Sequence, residues 1–220
     1  MIPVITIDGP SGAGKGTIAQ MLALELNWNI LDSGALYRTL AYFMKENAIT
    51  LDNFEENRDL ISSNFHVSFD VGIPGEPVRV LFDDKDITAI VRTEEMAKLT
   101  SNLAVEPLIR EFIKPCQRDF MVAPGLIADG RDMGTVIFSD AKHKIFLTAS
   151  VEERAKRRQS QLKRQGMEVN MLSLLQELGD RDQKDMEREH SPLVPAQDSI
   201  LIDTSNLNPE GVVEEIKTYL

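Results

Sequence analysis

One glycine-rich stretch near the start of the chain constrains its fold more than any other: Gly9-Pro10-Ser11-Gly12-Ala13-Gly14-Lys15-Gly16-Thr17. It follows the strand-forming run Val4-Ile5-Thr6-Ile7 and precedes a helical pattern from Gly16 to Leu26. Strand, glycine-rich turn and helix form the context in which such a loop wraps an oligophosphate. Glycine admits the backbone conformations that turn successive N–H groups inward. The helix N-terminus adds its positive dipole end, and Lys15 adds a charge able to follow a phosphoryl group in transfer. Gly16 stands where such loops usually carry Ser or Thr, and the hydroxyl comes at Thr17. Magnesium is therefore expected to meet Thr17 through water. The loop predicts a bound nucleoside triphosphate, with Gly9–Thr17 as its cradle.

Further short apolar runs occur at Trp28–Leu31, Leu126–Ala128, Lys144–Leu147 and Ile200–Ile202. Their lack of polar alternation suits strands covered on both faces. Helical patterns lie at Ala35–Lys45, Val105–Val122, Val151–Gln165, Met171–Arg188 and Pro209–Tyr219. The alternation predicts an α/β fold, a P-loop NTPase-type core of five parallel strands flanked by helices. His66–Asp70 and Val78–Phe82 break the rhythm, because both alternate and flank the turn-rich Val71-Gly72-Ile73-Pro74-Gly75-Glu76-Pro77. That is the pattern of an antiparallel hairpin. It reads as part of an inserted subdomain over about 63–101, within a single domain of 1–220.

Charge narrows the partners. The 220 residues carry 24 Lys and Arg against 35 Asp and Glu, a net −11, so the surface as a whole repels nucleic acid and anionic lipid. No run approaches the ~20 apolar residues of a membrane helix, and Met1 leads into Ile-Pro-Val-Ile without the basic region of a secretory signal. A cytoplasmic protein is expected. A single cysteine, Cys116, excludes an internal disulfide, and His66, His143 and His190 form no zinc-ligand cluster. With no apolar stripe in view, a monomer is expected.

Loops of this kind serve kinases, switch GTPases and transport ATPases alike. The chain has no Asn-Lys-x-Asp guanine reader and no Leu-Ser-Gly-Gly-Gln stretch, which favours a small-molecule kinase. Leu31-Asp32-Ser33-Gly34-Ala35-Leu36-Tyr37-Arg38 joins the second strand to a helix at the sheet edge where α/β ligands bind. Asp32 or Ser33 is placed to cap that helix, and Arg38, just over one turn in, to reach an anion. Ala128-Asp129-Gly130-Arg131-Asp132-Met133-Gly134-Thr135 sets Asp129 at a strand end, as an acid that orients magnesium or its waters. Arg131 and Asp132 emerge on the loop above.

These segments, followed by Arg181-Asp182-x-x-Asp185-x-x-Arg188 and Ser191-Pro192-Leu193, resemble bacterial cytidylate kinases in composition and order. The likeness runs to the final strand at Ile200–Asp203. It implies ATP with Mg2+, and CMP or dCMP, as substrates. It implies that Ser101, Arg110 and Asp132 hold cytosine. A carboxylate suits that base, whose N4 donates while N3 and O2 accept; uracil would face Asp132 with a carbonyl of like polarity. The resemblance further places the acceptor phosphate among Arg38, Arg131 and Arg188, where guanidinium geometry favours it, and counts Ser33 among the substrate-binding residues. Arg181 and Asp185 then reach the sugar. Spacing alone puts Arg181, Asp185 and Arg188 on one helical face, which an ion-paired solvent face also explains.

Arg154, Lys156, Arg157, Arg158, Lys163 and Arg164 are a basic exception in an acidic chain. Arg154, Arg157 and Arg158 share one helical face. They form either a solvated basic helix or a lid over about 151–167 that closes on ATP phosphates. Arg157, Arg154, Lys15, Arg131 and Asp129 are the expected catalytic residues. In-line transfer to an acceptor already anionic needs no general base. A kinase for UMP, guanylate or shikimate, or a regulator using ATP as a signal, are the alternatives. ADP release that depends on added CMP would separate them.

Overall fold

The computed structural model describes residues 2–73, 75–164 and 166–220. Met1, Pro74 of the expected turn and Gln165, the expected end of a helix, lie outside the described residues. In chain order the elements are β1 (Val4–Asp8), α1 (Lys15–Leu26), β2 (Asn29–Asp32), α2 (Ser33–Glu46), α3 (Arg58–Asn64), β3 (Val67–Asp70), β4 (Arg79–Phe82) and β5 (Lys85–Asp86). There follow α4 (Thr88–Val91), α5 (Glu94–Leu103), α6 (Pro107–Asp119), β6 (Leu126–Asp129), β7 (His143–Thr148), α7 (Val151–Arg164), α8 (Met171–Met186), β8 (Ile200–Asp203) and α9 (Pro209–Lys217).

Five strands pair in parallel in the order β2–β6–β1–β7–β8, as the apolar runs predict. Every residue of β1 and of β6 is buried, as strands covered on both faces must be. Ile5 and Ile7 pack with Leu22 of α1 and Ile216 of α9 on one face. Val4 and Ala128 pack with Leu40 of α2 and Ile113 of α6 on the other. Ile7 and Ile127 have no exposed surface, and emptying such a site to Ala costs ~2–5 kcal/mol.

Register sets Asp32 of β2 beside Asp129 of β6. It also sets Ile7 beside Asp129, so that Asp8 lies one residue further along the same edge. From β1 the chain crosses past β6 to reach β2, and from β6 it returns past β1 to β7. The crevice where direction reverses is the ligand position of such sheets, and the phosphate loop opens into it.

A separate antiparallel sheet, β3–β4–β5, pairs Val67 with Phe82 and Asp70 with Arg79. The two strands read from alternation appear there, whereas the two-residue β5 and the short α3 are too brief to leave a periodic signal. Val80, Ile87 and Val91 cluster with Ala35 of α2. Buried Gln20 of α1 also reaches this region: its Nε2 lies 2.6, 3.3 and 2.8 Å from the carbonyl oxygens of Val71, Ile73 and Glu76. No helix among the described residues is long and apolar enough to cross a membrane.

Candidate active site

Gly9, Gly12 and Gly14 hold φ at +143°, +80° and +94°, and a Cβ on Gly9 would collide with the Leu147 carbonyl oxygen of β7. Glycine is required at these turns. Gly14 caps α1 without a side-chain acceptor, so the first N–H groups of the helix remain open to an anion. Lys15 is 6 % exposed; its Nζ donates to the Pro10 carbonyl at 2.9 Å and lies 4.0 Å from Asp129. Burial, then the charge of Arg131, pushes the Lys15 ammonium below its usual range, while burial pushes Asp129 up. Their mutual attraction across 4.0 Å does not offset burial, so a further anion beside Lys15 and a further cation beside Asp129 would favour both charged forms.

Two arginines of α7 grip the loop from its carbonyl side. Arg154, 3 % exposed, donates to the carbonyls of Ala149 and Ser11, each at 3.0 Å, and pairs with Asp182 of α8 at 2.5 Å. Arg157 donates to the Ala13 carbonyl at 3.4 Å, to Thr204 Oγ1 at 3.0 Å and to the Thr204 carbonyl. Thr204 Oγ1 lies 3.0 Å from the carbonyls of Ala13 and Thr148. With carbonyls held outward, the N–H groups face the crevice. Arg158 turns elsewhere, pairing with Glu94 of α5.

Across the crevice, Asp32 caps α2, accepting from the Ala35 N–H at 2.9 Å, and pairs with Arg92 at 3.1 Å. The cap therefore falls to Asp32. Ser33 is buried and accepts from Gln117 Nε2 at 2.7 Å, which leaves its O–H free to donate. Arg38 donates to the Val91 carbonyl at 3.2 Å. Arg131 Nε meets one oxygen of Asp185 at 3.0 Å and Arg188 pairs with the other. Arg181, one turn earlier on α8, has no ion-pair partner among the described residues.

The helix expected to run to Arg188 ends at Met186. The Leu193 N–H takes the Asp185 carbonyl at 2.8 Å and the chain turns away through Ser191, at φ +53°. Arg188 joins the cluster from this turn rather than from a helical face.

Around Asp185 the charges do not balance. Burial, with Arg131 next, lowers Arg181 to about 10 although Asp185 pulls the other way. Arg38 is lowered too, by burial, with Arg92, Arg158 and Arg131 also opposing its charge and Asp32 favouring it. Burial would raise Asp185, yet Arg131 and Arg188 hold it below the usual carboxylate range. Cations that depress one another beside a single carboxylate form a hollow for an anion.

Beside the hollow, Arg110 of α6 donates to the Ala104 carbonyl at 3.1 Å and pairs with Asp132, which is 4 % exposed. Ser101 is half-buried on α5, three residues ahead of Ala104. Asp132 opens a wide turn over Met133–Ile137 in which its carbonyl accepts from Val136 and Ile137 at 2.9 and 3.1 Å. Turns of this π type recur at functional sites.

Sequence reasoning passed over Asp8, Gln117, Arg92 and Thr204, and named Asp182 within a motif without giving it a role. Asp8 directly follows the apolar run Val4–Ile7, the same kind of signal that singled out Asp129; Thr204 stands one residue beyond Asp203, and the others sit mid-helix or in a corner with no such mark. Thr17 is exposed on the first turn of α1, and Asp129 Oδ2 lies 3.5 Å from where a Cβ on Gly16 would be. A hydroxyl and a carboxylate are hard oxygen donors, and they fit magnesium with its waters.

A phosphate chain on the loop would lie next to positive charge that only a second anion can satisfy. Two anions held side by side at the switch point are the arrangement of a small-molecule P-loop kinase. The cytidylate kinase family model matches residues 5–220. The chain is 48% identical over 218 residues to the cytidylate kinase of Shewanella frigidimarina, covering 99% of this chain and 95% of that protein. It is 51% identical over 211 residues to that of Shewanella baltica, covering 96% and 91%. A solved shikimate kinase from Bacteroides thetaiotaomicron aligns at TM-score 0.44 and 13% identity, covering 100% of this chain and 97% of that one. The chain belongs to the cytidylate kinase family.

Proposed function

We propose that the chain transfers the γ-phosphoryl group of ATP to CMP, giving ADP and CDP, and treats dCMP in the same way. The backbone of Gly9–Thr17 holds the ATP phosphates, and Lys15 moves with the transferring group. Arg154 and Arg157 keep the loop in shape from its carbonyl side and add positive charge behind it. Thr17 and Asp129 hold Mg2+ through water; when bound, the ion neutralises phosphate oxygens. The CMP phosphate sits among Ser33, Arg38, Arg131 and Arg188, its sugar meets Arg181 and Asp185, and its base meets Ser101, Arg110 and Asp132. Transfer is direct, because the acceptor oxygen already carries the charge a base would otherwise create. The β3–β5 sheet with α4 and α5 serves as the acceptor-binding insert, about 63–101, and α7 as a lid, about 151–167. The protein works as a cytoplasmic monomer on free nucleotides, without nucleic acid or membrane; the net charge of −11 supports this.

One observation carries the reading: Arg131, Arg181 and Arg188 share the carboxylate of Asp185, with the charge of Arg38 also felt at Arg181, beside the Arg110–Asp132 pair. An acceptor with a single carboxylate charge, such as shikimate, would need less positive charge than the nearly dianionic phosphate of a nucleotide. ADP release from ATP–Mg2+ is the test, with CMP, dCMP, UMP, AMP, GMP and shikimate in parallel. Strong turnover with CMP and dCMP and weak turnover with UMP is the expected result. Silence with CMP and turnover on another acceptor would sink the base assignment and leave a P-loop kinase.

A further inference from the structure

Asp8 ends β1, immediately ahead of the phosphate loop, and is the one charged residue of a fully buried strand. A carboxylate in such a place is unfavourable unless its oxygens are well satisfied. Its partners lie neither in the loop nor on Lys15 but in the turn after β6. Oδ1 accepts from the Met133 N–H at 2.9 Å and Oδ2 from the Gly134 N–H at 2.8 Å. Two donors on the two oxygens of one carboxylate fix both the position and the rotation of the segment that carries them, as a bidentate fork does.

The backbone has little room for any other route. A Cβ on Gly134 would lie 2.8 Å from Thr6 Oγ1 and 3.3 Å from Asp8 Oδ2, and one on Gly130 would lie 2.7 Å from Met133 Cγ. Asp132 sits directly before the two clamped amides, and its own carbonyl anchors the turn through Val136 and Ile137. Only its carboxylate is left to point into the crevice, toward Arg110.

We infer that Asp8 is a positioning residue for base selection: by clamping Met133 and Gly134 it sets where the Asp132 carboxylate stands, and so the preference for cytosine over uracil. The inference rests on the reading that Asp132 meets the base.

The test compares kcat/KM for CMP and UMP, and KM for ATP, in the wild type, D8N, G134A and D132N. Asparagine keeps one acceptor and sets an NH2 group against the other amide. D8N is expected to narrow the CMP-to-UMP ratio at least fivefold while KM for ATP stays within twofold. G134A, which crowds the clamp from the opposite side, is expected to move the ratio the same way. An unchanged ratio with uniformly reduced turnover would make Asp8 a merely structural group and overturn the inference. So would a KM for ATP that rises in step with that for CMP. If D132N keeps the wild-type ratio, it is the reading of Asp132 that fails, whatever D8N does. Should the variants not fold, amide hydrogen exchange in the wild type decides: protected N–H groups at Met133 and Gly134 before CMP is added are expected, and free exchange there would refute the clamp.

Discussion

Arg154 and Arg157 on α7, and Arg181 and Arg188 on and just beyond α8, all converge on the carboxyl edge of the sheet, yet they meet very different surroundings. On α7 the guanidiniums are occupied by the protein itself. Arg154 holds the carbonyls of Ser11 in the phosphate loop and of Ala149 after β7, together with Asp182, and Arg157 holds Ala13 and Thr204. At α8 a single carboxylate, Asp185, is shared between Arg131 and Arg188, and Arg181 is left to repel its neighbours. One set of cations stabilises a loop; the other is incomplete until an anion arrives. Proximity in sequence and a shared helical face say that charges lie together, and only their partners say whether they are neutralised.

The sharpest way to break this contrast is Arg188→Met. Removing a cation that meets the transferred or accepting group typically costs ~100–1000-fold in rate. We expect a loss of that order in kcat/KM for CMP, with the melting temperature nearly unchanged; a large drop in melting temperature would put Arg188 in the same class as Arg154.

Arg154→Met should do the reverse. It leaves Asp182 buried without its partner, a defect worth ~3–5 kcal/mol, or about 2–4 °C in melting temperature for each kcal/mol in a chain this size. Thermal unfolding would show it, and KM for CMP below the transition should move less than threefold. A smaller effect is expected from Arg181→Met: KM for CMP up about tenfold, as when one charged hydrogen bond is lost, with a melting temperature equal to or slightly above the wild type because repulsion is relieved.

The least effect concerns acid. Asp185 titrates below its usual 3.8 in the folded protein, so its contribution is present above that value and is lost as pH falls through the lower folded one. Between about pH 5 and about pH 3 the wild type should therefore lose more stability than D185N. Parallel acid limbs would mean that Asp185 is not held by its arginines.

The parallel core was legible in the sequence because doubly covered strands are mostly apolar; each expected strand matches β1, β2, β6, β7 or β8 to within one residue at either end. The phosphate loop was legible for the same kind of reason, since glycine is forced at Gly9 by the Leu147 carbonyl. The acceptor side was read chiefly through family likeness. Ser101 carries no local mark, and Arg110 meets Asp132 only because α6 and the end of β6 come together in space. Asp8 had the right signal, a charge at the end of an apolar run, but its amide partners lie 125 and 126 residues away. Arg188 was placed on a helix because spacing describes a continuous element, and it takes the Leu193 hydrogen bond to show where that element stops.

Gln20 joins the helix that carries Lys15 to the turn between β3 and β4. A side-chain amide nitrogen has two protons, and here three carbonyl oxygens stand within 3.3 Å of it. One acceptor is always in reserve, so the turn can roll against α1 by trading one hydrogen bond for another, and no buried donor is stranded on the way. The joint ties the turn to α1 through a donor that stays satisfied whichever two of the three carbonyls it meets.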